Sequence, residues 1–342
     1  MTKNTQKEID EELNRYKEIK KKINKIRRSP KIGEIYKIYN EQQELTLKKT
    51  TLNRQHKIYT LYLGQLEKIR ADDLEPLFIQ EKILKHLFKQ KKFTTLLYVT
   101  RLLVTLLDFA KACNLIKNNS LKEIYTLPII KKSQKEMSRN TKHRPTLAYE
   151  DLRYNLMQLI KTFTNKACLR RILLLDLSLR TILRPREVCS LKITDLDLEK
   201  HILKVHNTKT MLIYQIHTTA TLEKNLLKAY ENFGDDKNKW IFSGIRDKNK
   251  PLSPQTMNRA LKDLGYKDIL CAHGIRSIAS NFFAQHSDKI HPWTAEAMLQ
   301  HSVGTKVSRA YRHDDYFNER IKASEIWNEF LDNIYRQLKK EI

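Results

Sequence analysis

The chain has 342 residues, 40% of them hydrophobic, yet only 7 are glycine and 8 proline, a scarcity of backbone punctuation that favours long helices over a turn-rich β protein. Its 65 Lys and Arg outweigh 39 Asp and Glu for a formal net charge of +26, a field that favours a polyanion such as nucleic acid or an anionic membrane surface. The four cysteines, Cys113, Cys168, Cys189 and Cys271, form no CxxC pair, which argues against a zinc ribbon or disulfide framework and fits a reducing cytoplasm.

Residues 1–30 are mostly polar, with Ile9, Leu13, Tyr16, Ile19, Ile23 and Ile26 at helical spacing, and read as one basic amphipathic helix closed by Ser29-Pro30. The opening residues lack the apolar stretch of a signal peptide. Residues 31–130 read as a helical bundle. One helix is expected over about Ile32 to Leu45, a second from near Thr51, a third after Ala71-Asp72-Asp73, and a long apolar one from Thr94 to Cys113. Residues 131–147 carry six Lys and Arg against one Glu and read as a basic, exposed linker able to lie along a phosphate backbone. Residues 148–342 form a second, larger unit. It is mostly helical, with Ile202–Thr208 and Met211–Thr218 as two short strands turning at Lys209-Thr210. The apolar run Leu169 to Leu183 is interrupted by Arg170, Arg171, Asp176 and Arg180 and does not read as a membrane span, which needs ~18–20 clean residues.

Two short motifs carry chemistry. In Leu183-Arg184-Pro185-Arg186-Glu187, the residue before Pro is steered out of the α region and Pro is favoured at the first helical position. Arg184 is therefore expected at a break between two helices, with Glu187 in the following first turn. His273-Gly-Ile-Arg276 is an HxxR, common enough by chance to mean little alone.

The order Arg184…Lys209…His273-xx-Arg276…His301…Tyr311 resembles that of the tyrosine recombinase, or phage integrase, family. The resemblance is fullest for prophage-type integrases of the satellite-phage P4 group. It runs through RPREVCSLKITDLDL, HNTKT, WIFSGIRDKNKPLSPQTMNRALKDLGY, AHGIRSIASNFF and LQHSVGTKVSRAYRHDDYFNERIKASEIWNEFLD, most of residues 148–330. Three positions depart from the pattern. Ile182 stands where a small residue is usual, Arg186 replaces another, and Gln300 replaces the usual Gly before His301. Residues 1–30 leave no room for the small β-rich arm-binding domain of many such integrases, which leaves open whether they bind arm-type sites.

The resemblance implies a mainly α chain with a small β-hairpin or sheet. It has the two-domain recombinase architecture, a helical core-binding domain plus an α+β catalytic domain. The implied activity is site-specific cleavage and rejoining of DNA through a 3′-phosphotyrosine, which integrates or excises a mobile element. Tyr311 is the implied nucleophile, chosen among 15 tyrosines by its spacing from His301, with Tyr316 the nearest alternative. Arg184 and Arg276 clamp the non-bridging oxygens of the transition state. Lys209 protonates the leaving 5′-oxygen, His273 shuttles the tyrosine proton, His301 bonds a phosphate oxygen, and Glu187 orients a basic partner. No cofactor or metal is implied, because the arginines supply the cationic charge. Double-stranded DNA is the expected partner, with a homotetramer in the synaptic complex, room for accessory DNA-bending or excisionase proteins, and no membrane. The setting implied is the cytoplasm and nucleoid of a bacterium. Two other readings are a resolvase of chromosome or plasmid dimers that uses the same residues, and a DNA-binding regulator whose catalysis has decayed. All six catalytic positions are filled, which argues against decay. The apolar stripe of the tail Phe317–Ile342 is expected to dock on a neighbouring copy, the alternative being its own domain.

Overall fold

A helix as apolar as that around Leu96–Ala110 must be covered on several sides. The computed structural model describes residues 29–139, 145–206, 213–301 and 316–340. The chain divides into two units between residues 142 and 143. The first contains α1 (Ile32–Gln43), α2 (Lys49–Ile58), α3 (Phe93–Ala112) and α4 (Pro128–Arg139), with short helical turns at Pro76–Ile79 and Lys85–Lys89. Helix α3 is the core: Leu96, Val99, Leu103, Leu106, Leu107 and Ala110 are fully buried. It packs on α1, on Lys85–Lys89 and on α4. Among the described residues α3 alone is long and apolar enough to cross a bilayer, and half of it is buried within its unit. Asn114 ends it in the left-handed conformation (φ 58°), the usual way for a short polar side chain to stop a helix.

Residues 131–139, expected to begin the linker, instead continue α4. Ile130 and Ser133 are buried, and the Lys132 ammonium lies 5.6 Å from the centre of the Phe88 ring. One narrow apolar seam among many lysines holds this helix, so its composition reads as linker. The expected helix over residues 1–30 falls outside the described residues apart from Ser29 and Pro30.

The second unit contains α5 (Leu152–Lys166), α6 (Leu169–Thr181), α7 (Pro185–Cys189), β1 (Leu196–Asp197), β2 (Ile202–His206), β3 (Ile213–His217), α8 (Ala220–Phe233), α9 (Gln255–Asp263), α10 (Gly274–Gln285), α11 (Pro292–Met298) and α12 (Phe317–Lys340). The antiparallel sheet has the order β1-β2-β3. The β2–β3 register, Ile202↔His217 through His206↔Ile213, is symmetric about the Lys209-Thr210 peptide, which itself lies outside the described residues. Strand β1 was not expected: two residues are too few to show alternation.

Helix α12 corrects the expectation for the tail. Its stripe is packed into its own unit, where Trp327, Leu331 and Ile334 are fully buried and α12 contacts α5, α6, α11 and β3. The Trp327 indole N–H donates to the Leu179 carbonyl at 2.8 Å. Beside it, buried Arg180 donates through Nε to both carboxylate oxygens of Asp176 (3.1 and 3.0 Å), through Nη1 to Asn328 Oδ1 (3.3 Å) and through Nη2 to Asp332 (2.8 Å). The Tyr335 hydroxyl donates to Asp176 at 2.7 Å. Burial alone would lower the Arg180 pKa, but Asp176 and Asp332 outweigh it and raise it. Two of the four charges that interrupt the apolar run of α6, Asp176 and Arg180, are thus one buried ion pair, satisfied by groups from the tail.

Candidate active site

The first arginine sits where the sequence places it. Helix α6 ends at Ile182, whose φ is +55°, an uncommon conformation for a β-branched residue. Arg184 then takes extended φ/ψ (−64°, 146°) before Pro185 opens α7. Glu187, 3% exposed, accepts the Arg184 backbone N–H at 2.9 Å and its Nη1 at 3.1 Å. The carboxylate therefore binds both the backbone and one guanidinium nitrogen of the same residue.

The second arginine comes from α10. The HxxR spacing puts His273, at the helix start, and Arg276 on one face. Gly274 is required there: a Cβ would come within 2.1 Å of the Pro145 carbonyl oxygen. That close approach lets Cys271 N–H donate to Pro145 O (3.2 Å) and the Thr146 hydroxyl donate to Gly274 O (3.0 Å), seating residues 145–147 on the start of α10. Arg276 is 4% exposed; it donates through Nη1 to the Ile182 carbonyl at 2.6 Å and through Nη2 to the Leu299 carbonyl.

A corner after α11 joins the two arginines. Gln300 has φ +52°. Its Oε1 accepts from Arg184 Nη1 at 2.5 Å, and its Nε2 donates to Glu187 Oε2 at 3.3 Å. His301 follows, with Nδ1 2.7 Å from Glu296 Oε2 and both side chains half exposed. One three-residue corner thus touches Arg276 through Leu299, Arg184 through Gln300, and presents His301 beside them. Lys209 and Tyr311 lie outside the described residues.

Residues 148–317 match the profile of the phage integrase family. That stretch is a phage integrase domain. The chain is 26% identical to an integrase of Shigella phage Sf6 over 161 residues, 46% of this chain and 40% of that protein. It is 30% identical to the prophage integrase IntA of Escherichia coli K12 over 155 residues, 45% and 37% of the two chains. This chain thus spans about two fifths of the length of these curated relatives. Its fold is that of a lambda integrase tetramer bound to a Holliday junction, with a TM-score of 0.63 at 19% identity over 84% of this chain and 79% of the other. A Tn1549 transposon integrase in complex with circular intermediate DNA gives 0.59 at 16% identity over 84% and 96%.

In this phage integrase domain the electrostatics follow from burial. Desolvation, reinforced by the like charge of Arg184, lowers the Arg276 pKa to about 10, with Glu187 and Tyr214 acting the other way. It remains a cation at neutral pH. A cation so poorly solvated, held by two carbonyls and facing a second guanidinium, favours an anion at the open side of the pair. Arg184, with 34% of its side chain exposed, forms that open side. Among the described residues, no group of three or more His, Cys, Asp or Glu side chains is arranged to hold a metal ion.

Three residues escaped the sequence reading. The Ile182 carbonyl and Gln300 were visible only as departures from the family pattern, and Glu296 carried no signal beyond its place five residues before His301. At 182 and 300 a glycine would have marked the left-handed corner; Ile and Gln conceal it.

Proposed function

We propose that this chain is a site-specific DNA recombinase that cleaves and rejoins double-stranded DNA through a 3′-phosphotyrosine, integrating or excising a mobile element. The convergence of Arg184 and Arg276 on the corner that leads into His301 and the Tyr311 segment, inside a phage integrase domain, carries this reading. The Tyr311 oxygen attacks phosphorus, and the bond to the 5′-oxygen breaks. The tyrosine proton passes to His273, and Lys209 supplies a proton to the departing oxygen. The two guanidiniums stabilise charge on the non-bridging oxygens, and His301, oriented by Glu296, adds a hydrogen bond. Attack by a 5′-hydroxyl of another strand reverses these steps and restores the diester, so no external energy source is needed. Relatives of the fold have been solved as a dimer on a core site and as a tetramer on a Holliday junction, which supports double-stranded DNA and a homotetramer as the working assembly here.

The test is covalent trapping on a DNA site nicked beside the scissile phosphate, where the severed fragment diffuses away. A detergent-resistant adduct supports the recombinase; gel retardation without an adduct favours a mere binder. Arg184→Ala and Arg276→Ala should each slow adduct formation about 10²–10³-fold, the effect of removing one preorganised donor, with binding far less affected. Cleavage near the parent rate in either variant would remove that arginine from the site. Lys209→Ala should be slow on ordinary DNA and recover when sulfur replaces the 5′-bridging oxygen, because a thiolate departs without a proton. Equal deficits on both substrates would assign the general acid elsewhere.

A further inference from the structure

Gln300 makes contacts that the mechanism above does not use. It occupies the left-handed region (φ +52°), where a non-glycine side chain is uncommon and is retained when its surroundings fix it. Its amide bridges two groups of opposite charge. The carbonyl end accepts from Arg184 Nη1 (2.5 Å), the same nitrogen that donates to Glu187 Oε1 (3.1 Å), and the NH2 end donates to Glu187 Oε2 (3.3 Å). Arg184, Glu187 and Gln300 therefore close a hydrogen-bonded ring. The Gln300 backbone carbonyl lies a further 3.5 Å from Arg184 Nη2.

We propose that Gln300 is a positioning residue that sets the pose of Arg184 and couples it to the corner holding Arg276. Glu187 alone leaves the guanidinium free to pivot about a single Nη1 contact. The Gln300 amide supplies a second acceptor at that nitrogen, and two acceptors on one planar NH2 set the plane of the fork. The amide suits the task because it is neutral: it offers an acceptor to the cation and a donor to the carboxylate at once, which neither a carboxylate nor an ammonium can do. Because the preceding carbonyl, that of Leu299, binds Arg276, one backbone corner spaces the two guanidiniums.

This inference rests on the recombinase reading, and the experiment separates the two. Gln300→Gly removes the amide and relaxes the corner, since glycine adopts φ near +50° freely. Gln300→Met removes the amide and keeps both the side-chain volume and the strained φ. Single-turnover cleavage of a nicked site should slow roughly ten- to hundredfold in both, as when a partner that orients a functional side chain is lost. This should hold at saturating DNA, with Kd within about twofold of the parent value. Gln300→Gly should melt no lower than the parent chain, so its rate loss cannot be a loss of fold. Parent-like cleavage in both variants overturns the inference while leaving the recombinase intact. So does slow cleavage by Gln300→Met with normal cleavage by Gln300→Gly, which would trace the effect to the backbone. A parent chain that forms no adduct overturns the recombinase reading and this inference together.

Discussion

Tyr311→Phe is expected to bind its DNA site as the parent chain does and to form no covalent adduct at all. The substitution removes one oxygen and nothing else. Every other proposed group only lowers a barrier, so its loss leaves slow cleavage; without the phenol there is no atom to form the bond to phosphorus. The assay is the nicked substrate followed by denaturing electrophoresis. A persistent adduct would assign the nucleophile elsewhere, and Tyr316 would be next. Tyr316 precedes α12 with φ +56°, and its ring packs edge-on against Trp293 at 6.5 Å between centroids.

Truncation after Glu319 is expected to abolish the folded second unit, and with it all cleavage. The deletion removes Ala323, Trp327, Leu331, Ile334 and Leu338 from the core and strips Arg180 of Asn328 and Asp332. Each large apolar side chain contributes about 1.5–3 kcal/mol by burial, so four of them approach the ~5–15 kcal/mol that a whole domain has in reserve. A milder probe is Trp327→Ala, which should cost about 3–5 kcal/mol. For a unit of about 200 residues that lowers Tm by roughly 2–4 °C per kcal/mol. A truncated chain that melts at the parent temperature yet fails to recombine paired sites would restore the tail to an intermolecular role, and one that melts there and still recombines would show the tail dispensable to both fold and assembly.

Much of this was legible beforehand where one physical signal dominated. Apolar spacing predicted the helix beginning at Ile32 and the core helix over residues 93–112 to within two residues. The steric rule for a residue before proline placed Arg184 at its break, with Glu187 in the following first turn. The HxxR pair, weak as a motif, falls at the start of α10 as a helical face requires. What stayed hidden depends on contacts distant in sequence. Asp176 and Arg180 were noticed only as interruptions of an apolar run, because their partners lie about 150 residues away on α12. The stripe on α12 specifies that something covers it, and only the packed unit says what. The corners at Ile182 and Gln300 were illegible because their residue types do not announce positive φ.

The bolt between α6 and α12 has a consequence for how the molecule opens. Trp327 holds the carbonyl of Leu179, and Arg180 follows at once; two residues later the chain turns at Ile182, whose own carbonyl carries Arg276. The last turn of α6 cannot unwind without releasing the tail, and it cannot hold Ile182 in place once unwound. The tail and the arginine corner are therefore expected to open as a single cooperative unit, with their amide protons exchanging through one shared event rather than two in a hydrogen-exchange measurement. A proteolytic nick or a modification that frays α12 would silence strand transfer from a distance, without touching DNA or any residue that reacts.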